Sequence, residues 1–273
     1  MSMKLKSNLA VAFKILLGIV YTIPIWLAFI FSIHPNADFT QTPLRLLPDA
    51  ATLENFVLVF KDLPFLTYYK NTLIMLLITL PSQIILSCLA AYAFTYFSFK
   101  GRDLLFTIYL AAMMIPGEVT LVVNYATIVK MNMLNTYMGI CITGLVGVGS
   151  IFMLRQNMLS IPKELFEAAV MDGCGKVRYL FKVVIPLSKS IITAMTITSF
   201  IGTYNAYLWP LMVSTKDEYH TLQVGMAQLI GETGGRYGIV MAGAVISMIV
   251  PMIAFIFGQK YIIQGMAAGA VKS

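Results

Sequence analysis

Three carboxylates stand close together in the longest charged stretch of this chain, KELFEAAVMDGCGKVRYLFKVVIP at residues 163–186. Glu164, Glu167 and Asp172 lie among small residues, and carboxylates in such a setting can pair with cations on a basic partner. The small residues are Ala168, Ala169 and Gly173. Ala169 and Gly173 are four positions apart and therefore lie on one face of a helix. Acids are unfavourable against anionic lipid headgroups, so this half of the stretch predicts a protein-docking surface.

The second half of the same stretch has a different pattern. Glycines at 173 and 175 are expected to end the first helix, because glycine readily adopts left-handed backbone conformations. An apolar stripe with helical spacing then follows, with the basic residues largely off it; its members are Val177, Leu180, Phe181 and Val184. Pro186 is expected to stop this second helix. A helix lying on lipid headgroups fits this half well.

Glu118 is the one acidic residue within an otherwise apolar run. A straight helix would place it roughly 21 Å beyond Asp103, in the outer part of a bilayer core about 30 Å thick. Acids inside a membrane face protein or water, and the neighbouring Pro116-Gly117 pair can loosen a helix. Glu118 is therefore a candidate for a solute pathway, and a structural partner or an interfacial position is the more frequent alternative.

Two further groups are candidates for contact with a solute or a partner. Tyr204, Asn205, Tyr207 and Trp209 could bind a sugar, since aromatic rings stack on its apolar face, although rings near the end of a span more often form an interfacial belt. The flexible segment at 231–235 is either a plain solvated loop or a contact site for an external protein. Its candidate residues are Gly231, Glu232, Gly234 and Gly235.

Several kinds of chemistry lack the residues they need. The three cysteines form no CxxC pair and only two histidines are present, so neither a disulfide framework nor a zinc site is expected. The GCGKV segment at Gly173 lacks both the first glycine and the final Ser or Thr of a phosphate-binding loop. No HExxH or GxSxG motif is present, so we expect no hydrolase site and no ATP site in this chain.

The composition shows what positions these residues. The chain of 273 residues is 59% hydrophobic and only 11% charged, whereas soluble domains carry about a quarter charged residues. Six stretches almost free of charge are expected to span a bilayer, which takes about 20 apolar residues. They are 15–33, 71–99, 104–123, 131–154, 190–215 and 237–259. The first is longer than a signal-peptide core, so we expect a retained helix.

The basic residues set the orientation. With six spans both termini share one side, and that side holds thirteen of the 19 Lys and Arg residues. The positive-inside bias therefore predicts cytoplasmic termini and a cytoplasmic 160–186 loop. The net charge of +7 does not indicate nucleic acid, because the cations lie in short gaps between apolar runs, next to lipid.

The charged stretch resembles a known family motif. It is similar to the cytoplasmic loop of ABC importer permeases, whose pattern ends I-x-L-P. The matching residues are EAA at 167–169, then Gly173 after three residues, and Val183-x-Ile185-Pro186 after nine more. Other segments, in order, resemble the second permease of sugar importers such as the maltose transporter. They are NTL at 71, LAAYAF at 89, FKGRDLLF at 99, MMIPGEVTLV at 113, LNTYMGI at 134, LRQ at 154, FIGTYNAYLWPL at 200 and TLQVG at 221.

The resemblance implies a fold and a set of partners. It implies an all-α membrane protein of the type I importer permease fold, with an N-terminal helix and outer loop at 1–70, a core at 71–265 and a tail at 266–273. The loop would form a coupling helix on a cytoplasmic ATPase dimer. Glu167 would pair with a basic ATPase residue, and the small residues beside it, with Asp172, would form the packed contact.

The resemblance also assigns the chemistry to other subunits. ATP and Mg²⁺ would bind the ATPase, and this chain would bind no cofactor. A homologous second permease and an extracytoplasmic binding protein, which the 231–235 segment would face, complete a carbohydrate importer in a bacterial or archaeal cell membrane. The sequence departs from the family at Ala206, where relatives often have an acid or amide. A stand-alone secondary transporter and a membrane scaffold without transport activity are the alternative classes.

Overall fold

A computed structural model describes residues 3–36, 39, 46–48, 50–232 and 236–270. Within these residues the regular structure is helical, which is the fold class expected from the sequence. The α-helices are α1 (Met3–Ser32), α2 (Glu54–Asp62), α3 (Phe65–Tyr96), α4 (Arg102–Ala111), α5 (Gly117–Lys130), α6 (Tyr137–Cys141), α7 (Val148–Leu159), α8 (Lys163–Met171), α9 (Lys176–Tyr179), α10 (Ile185–Leu187), α11 (Lys189–Tyr204), α12 (Leu208–Val213), α13 (Leu222–Glu232) and α14 (Tyr237–Ala270).

Three continuous helices and three bent pairs are long and apolar enough to cross a membrane. The continuous ones are α1, α3 and α14, over Ala10–Ser32, Phe65–Tyr96 and Tyr237–Gln259. The bent pairs are Arg102–Met114 with Gly117–Lys130, Tyr137–Gly144 with Val148–Leu159, and Lys176–Leu187 with Lys189–Tyr204. Six spans result if each pair crosses once. These segments overlap the six apolar stretches of the sequence, although the fifth segment begins at Lys176, within the predicted loop, and ends at Tyr204 instead of residue 215. The sequence did not predict how sharply three of the segments bend.

The third span is broken beside Glu118. Ile115 has φ −84° and ψ 116°, an extended backbone that a following proline favours, and α5 starts after Pro116. The two halves of the span meet at 101°. A straight-helix distance from Asp103 to Glu118 therefore does not apply, because the axis changes direction between them.

The described residues form two compact units. The first consists of Met1–Leu66 with Gly225–Met252. Its centre is the buried Asn55, whose amide nitrogen donates to the Ser32 carbonyl at 2.8 Å and to the His34 carbonyl at 2.7 Å. A methyl group on Gly238 would lie 2.6 Å from the same amide nitrogen, so glycine is required for the start of α14 to approach α2.

The second unit consists of Thr67–Val224 with Ile253–Ser273. Two clusters of buried side chains hold it together. One joins the C-terminal part of α3 to α4, α7 and α9, and includes Tyr92, Phe106, Leu154 and Tyr179. The other, around Cys141, joins the N-terminal part of α3 to α5, α6 and α12. The coupling loop and the candidate pathway residues of α5, α11 and α12 belong to this unit.

Glycines in the fourth span allow close packing against α3. A methyl group on Gly144 would lie 2.9 Å from the Cγ2 of Thr79 on α3, and one on Gly147 would overlap the side-chain amide of Gln83. Gly149 has ordinary contact distance to the Met113 methyl group, 3.7 Å. Gly144 and Gly147 thus lie close to side chains of α3, and a larger residue at either position would displace Thr79 or Gln83.

Buried polar side chains fix the other end of the same unit. The amide nitrogen of Asn71 donates to the carbonyls of Glu218 at 2.8 Å and His220 at 2.9 Å, and its oxygen accepts from the Tyr137 hydroxyl at 2.8 Å. Asn135, at φ 55°, accepts from the backbone nitrogens of Thr215 and Lys216 at 2.7 and 3.0 Å. These bonds connect the starts of α3 and α6 to the 214–221 segment.

Candidate coupling loop and pathway residues

Helix α8 contains the EAA residues and has well-defined ends. Pro162 directly precedes its first residue, with φ −55° and ψ 134°. Proline suits this position because it has no backbone N–H, and the N–H groups at a helix start have no partner within the helix. At the other end, the Cys174 N–H donates to the Ala169 carbonyl at 2.8 Å and the Gly173 N–H donates to the Val170 carbonyl at 3.0 Å. This pair of bonds is the Schellman motif, which explains how the glycine ends the helix as predicted.

Gly173 is required for its backbone conformation. Its φ is +71°, and no atom lies within 4 Å of the position that a β-carbon would occupy. Within this chain the residue therefore has open space beside it, and the left-handed turn alone restricts it to glycine. Its predicted role in close packing concerns a partner and stays a prediction.

Replacing Gly173 by alanine is expected to destabilise the turn by about 1–2 kcal/mol, since a β-carbon is unfavourable at positive φ. Gly173→Asn should lose less, because asparagine tolerates this region better. Gly175→Ala is the matched control, since Gly175 has φ −65° and equally open space. The thermal unfolding midpoint of the purified protein measures the difference. Equal losses at positions 173 and 175 would contradict the conformational explanation.

The two faces of α8 have different environments. Phe166 and Ala169 are half-buried against the core, whereas Glu167, Ala168 and Asp172 are exposed. Met171 is 87% exposed at the C-terminal end of the helix. Glu167 also lines a cavity of about 230 Å³ between α8 and the end of α3. The predicted ATPase-coupling residues are thus accessible, except for Ala169, which faces inward in part.

An aromatic triad attaches α8 to the membrane core. The ring of Phe166 lies 5.1 Å from that of Tyr179 and 5.5 Å from that of Tyr96, and the two tyrosine rings are 5.5 Å apart. Offset and edge-on ring contacts at these distances are favourable. The sequence interpretation missed the triad. Tyr92 and Tyr96, four residues apart at the end of α3, were the available signal.

The second half of the loop is held from the same end of α3. The Tyr92 hydroxyl donates to the Lys176 carbonyl at 2.8 Å, and the Lys176 ammonium lies 4.6 Å from the centre of the Phe97 ring. Cation–π contact at this distance is favourable. The helix that follows the Gly-Cys-Gly turn is therefore positioned by residues about 80 positions earlier in the chain.

The predicted apolar stripe of this second helix divides into two faces. Leu180 and Val184 are buried, whereas Val177 is 71% and Phe181 60% exposed. The segment Leu180–Val184 is a π-helix, whose wider turn shifts the faces relative to an α-helix. The exposed apolar residues leave part of this half uncovered by the rest of the chain.

The expectation that Pro186 ends the second helix is wrong. The helix passes through Pro186 in α10, and the axis turns by 76° at Ser188, between Leu187 and Lys189. The π turn directly before the proline changes the hydrogen-bonding pattern where a proline would otherwise disrupt an α-helix. The coupling loop therefore continues into the fifth span through a bend at residue 188.

Arg155 connects three helices beneath the loop. Its guanidinium carbon lies 4.0 Å from the centre of the Phe106 ring, a terminal nitrogen lies 3.8 Å from the Asp103 carboxylate, and Nε donates to the Phe94 carbonyl at 3.4 Å. Its side chain is only 15% exposed. Arginine suits this place because its planar cation can stack on a ring and pair with an acid at once. The LRQ motif contained this residue, but its partners could not be read from the sequence.

Glu118 lies in the first turn of α5 and is exposed, without an ion pair to the described residues. The N-terminal end of a helix favours a negative charge. Exposed apolar residues surround this position in the sequence, with Met114 84% and Val119 66% accessible. The geometry is compatible with a pathway role, which stays a prediction.

Two of the four candidates at 204–209 are held by contacts within the protein, and two are accessible. Tyr204 is 3% exposed and stacks on Phe200 at 5.8 Å, and the Trp209 indole N–H donates to the Ile140 carbonyl at 3.1 Å. Asn205 is exposed and donates to the Ile201 carbonyl at 3.0 Å, while Tyr207 is 41% exposed. In this conformation Asn205 and Tyr207 are the accessible members of the group.

The glycine-rich segment begins inside a helix. Gly231 and Glu232 are the last two residues of α13, and no atom lies within 4 Å of the β-carbon position of Gly231. Gly234 and Gly235 lie outside the described residues. The predicted contact of this segment with a binding protein stays a prediction.

A family model described as "Binding-protein-dependent transport system inner membrane component" matches residues 83–268. The chain belongs to this family. It is therefore a multi-pass membrane protein and a subunit of a binding-protein-dependent transport system. The match contains the whole coupling loop, all of α4 to α13, the C-terminal part of α3 and nearly all of α14. Membership favours the importer permease over the stand-alone secondary transporter.

Curated relatives cover most of the permease. It is 32% identical over 244 residues to the arabinooligosaccharides transport system permease protein AraQ of Halalkalibacterium halodurans, which covers 88% of each chain. It is 29% identical over 263 residues to AraQ of Bacillus subtilis, with 95% and 94% covered. It is 28% identical over 251 residues to the sn-glycerol-3-phosphate transport system permease protein UgpE of Yersinia pestis, with 89% of each covered.

Two solved structures have the same fold. A chain of a bacterial ABC transporter involved in the import of the acidic polysaccharide alginate matches with a TM-score of 0.80 and 26% identity, over 96% of this permease and 99% of that chain. A chain of the alginate transporter in complex with a periplasmic protein matches with a TM-score of 0.63 and 16% identity, over 93% and 94%. These matches confirm the resemblance to carbohydrate-importer permeases and the predicted fold class.

Proposed function

We propose that this permease is one of two membrane subunits of an ATP-driven importer for a carbohydrate, meaning an oligosaccharide, a sugar, or a polyol or sugar phosphate. The observation that carries the proposal is helix α8, which exposes Glu167 and Ala168 while its Phe166 packs on the buried Tyr179 and on Tyr96 at the end of α3. A force on α8 would reach α3 and the fifth span through packed side chains. Such a helix is suited to couple a cytoplasmic subunit to a transport pathway.

The partners follow from this role. A homologous second permease would complete the pathway, a cytoplasmic ATPase dimer would dock on α8, and an extracytoplasmic binding protein would deliver the solute. ATP and Mg²⁺ would bind the ATPase, and this chain would contribute no catalytic group. Closure of the ATPase dimer would move the spans only because it favours one of their two states over the other.

The orientation proposed with this role places both termini and α8 in the cytoplasm. Its support is the excess of Lys and Arg on that side, thirteen of 19. A reporter that is active only in the cytoplasm, fused after Ser273, tests it. An inactive reporter on a correctly inserted protein would contradict the orientation.

The coupling role is tested by capture of the ATPase subunit encoded beside this permease. Glu167→Arg reverses an exposed charge and should lower capture more than tenfold, because an unpaired charge at a docked interface costs about 2–5 kcal/mol. Gly173→Leu should also lose capture, because the leucine side chain would overlap the docked ATPase and because leucine is unfavourable at the positive φ of this position. Glu218→Arg is the matched control, since Glu218 is equally exposed but lies beyond the fifth span, away from the coupling loop.

Each variant is first compared with the wild type by gel filtration, so that a folding defect is separated from lost docking. Capture by the wild type and by Glu218→Arg, with loss in the other two, supports the proposal. No capture by the wild type, or equal capture by all four proteins, would refute the coupling role of α8.

A further inference from the structure

A cavity of about 370 Å³ lies beside α5, apart from the coupling loop. Sites for small molecules commonly measure about 300–1,000 Å³. The cavity is lined by Asn124, Thr127, Ile128, Met131, Ile142 and Thr143. It thus lies between the C-terminal half of α5 and the 3₁₀ turn at Ile142–Gly144, both within broken spans.

A polar stripe of α5 leads to this cavity. Thr120, Asn124 and Thr127 occupy positions i, i+4 and i+7, which is one face of a helix. The hydroxyls of Thr120 and Thr127 donate to the carbonyls of Gly117 at 2.9 Å and Val123 at 2.8 Å. Their oxygens therefore remain free to accept. The Asn124 amide makes no hydrogen bond to the described residues, so both its donor and acceptor groups are available.

Contact between this polar stripe and lipid would be unfavourable. Val119 and Val122, on other faces of α5, are each at least 66% exposed, which suits a lipid or protein contact. An amide without a partner in an apolar medium costs on the order of several kcal/mol. Polar groups at such a place face water or a polar ligand. In other transporters, discontinuous helices likewise present polar groups to the transported solute.

The chemistry of the lining selects among solutes. It combines an amide and two hydroxyls with three apolar side chains, and none of the six residues carries a charge. Amide and hydroxyl groups match sugar hydroxyls, and the apolar side chains match the C–H faces of a sugar ring. A phosphate or carboxylate would require a cationic partner, which arginine or lysine normally supplies.

We propose that this cavity is a solute subsite that binds the neutral, hydroxyl-bearing part of an oligosaccharide, with Asn124, Thr127 and Thr143 as its polar contacts. The inference rests on the proposed function and makes its substrate class narrower, since it favours neutral oligosaccharides over sugar phosphates and acidic sugars. The subsite would receive the solute after its release into the pathway. Its loss should allow ATP-driven cycles that move no solute.

The test uses the complete transporter with its binding protein in proteoliposomes. Uptake of arabinotriose and of sn-glycerol 3-phosphate is measured together with ATP hydrolysis. Asn124→Leu and Thr127→Val should lower arabinotriose moved per ATP about fivefold while the ATPase rate stays near that of the wild type. Thr198→Val is the matched control, since Thr198 is also exposed and its hydroxyl also donates to a carbonyl four residues earlier, at 3.1 Å.

The outcomes separate this inference from the proposed function. Arabinotriose import with the expected loss in the two variants supports both. Arabinotriose import with an unchanged solute-to-ATP ratio overturns the subsite and leaves the importer standing, as does a wild type that imports only sn-glycerol 3-phosphate. Loss of the second permease from purified Asn124→Leu would show that Asn124 bonds the partner, which also overturns the subsite. A wild type that imports neither solute overturns the subsite as proposed, while the importer role is judged by the ATPase capture test.

Discussion

Tyr179→Ala is expected to lower the free energy of unfolding by about 3–5 kcal/mol, the usual loss when a large buried ring is removed. Tyr179 is 0% exposed, and its ring contacts those of Phe166 and Tyr96 at 5.1 and 5.5 Å. The cavity left behind would separate α8 from the end of α3. The same variant should therefore lose ATPase capture even where some folded protein remains.

Phe181→Ala is the matched control for this prediction. Phe181 is an aromatic residue two positions later on the same segment, but it is 60% exposed. Its removal should change stability by less than about 1 kcal/mol, since surface substitutions usually cost little. Unfolding of the purified permeases in detergent, followed by temperature or denaturant, measures both. Similar losses in the two variants would show that the triad does not anchor α8.

Gly139→Ala should be the second most damaging change. A methyl group at this position would overlap the Met133 carbonyl oxygen, which belongs to the backbone and cannot rotate away. Overpacking of this kind costs about 1–3 kcal/mol. Gly139 is also the residue whose N–H donates to the Thr136 hydroxyl at 3.0 Å, the N-terminal cap of α6. A shift of this backbone would disturb the cap as well.

Gly202→Ala is expected to leave the stability of the protein unchanged or to raise it, unlike Gly139→Ala. Gly202 lies within α11 with nothing inside 4 Å of its β-carbon position, and alanine is better than glycine in a helix by about 1 kcal/mol. The thermal midpoint should thus fall for Gly139→Ala and stay level or rise for Gly202→Ala. Equal midpoints for the two variants would mean that the 133–139 turn adjusts to a side chain without cost.

Local features of the loop were predictable because they depend on neighbouring residues. Gly173 acts through its backbone conformation, and it ends α8 as the sequence predicts. The EAA motif therefore located the loop without any tertiary information.

Other features were missed because they join distant parts of the chain. Phe166 meets Tyr96 across 70 positions, and Arg155 meets Asp103 across more than 50. No periodicity or spacing encodes such a pair. The division of the stripe at Leu180–Val184 was also missed, since a π-helix changes the faces that an α-helical pattern assumes.

The sequence by itself determined the membrane class, the six apolar segments and the C-terminal end of the coupling helix, because hydrophobic length and backbone preference are properties of short stretches. Only the tertiary structure decided that the third span turns by 101°, that Tyr204 and Trp209 are engaged inside while Asn205 is accessible, and that Asn124 lines a polar cavity. These outcomes depend on which helices pack together. Packing is set by the shapes of side chains brought together from remote positions, and a linear pattern does not contain that information.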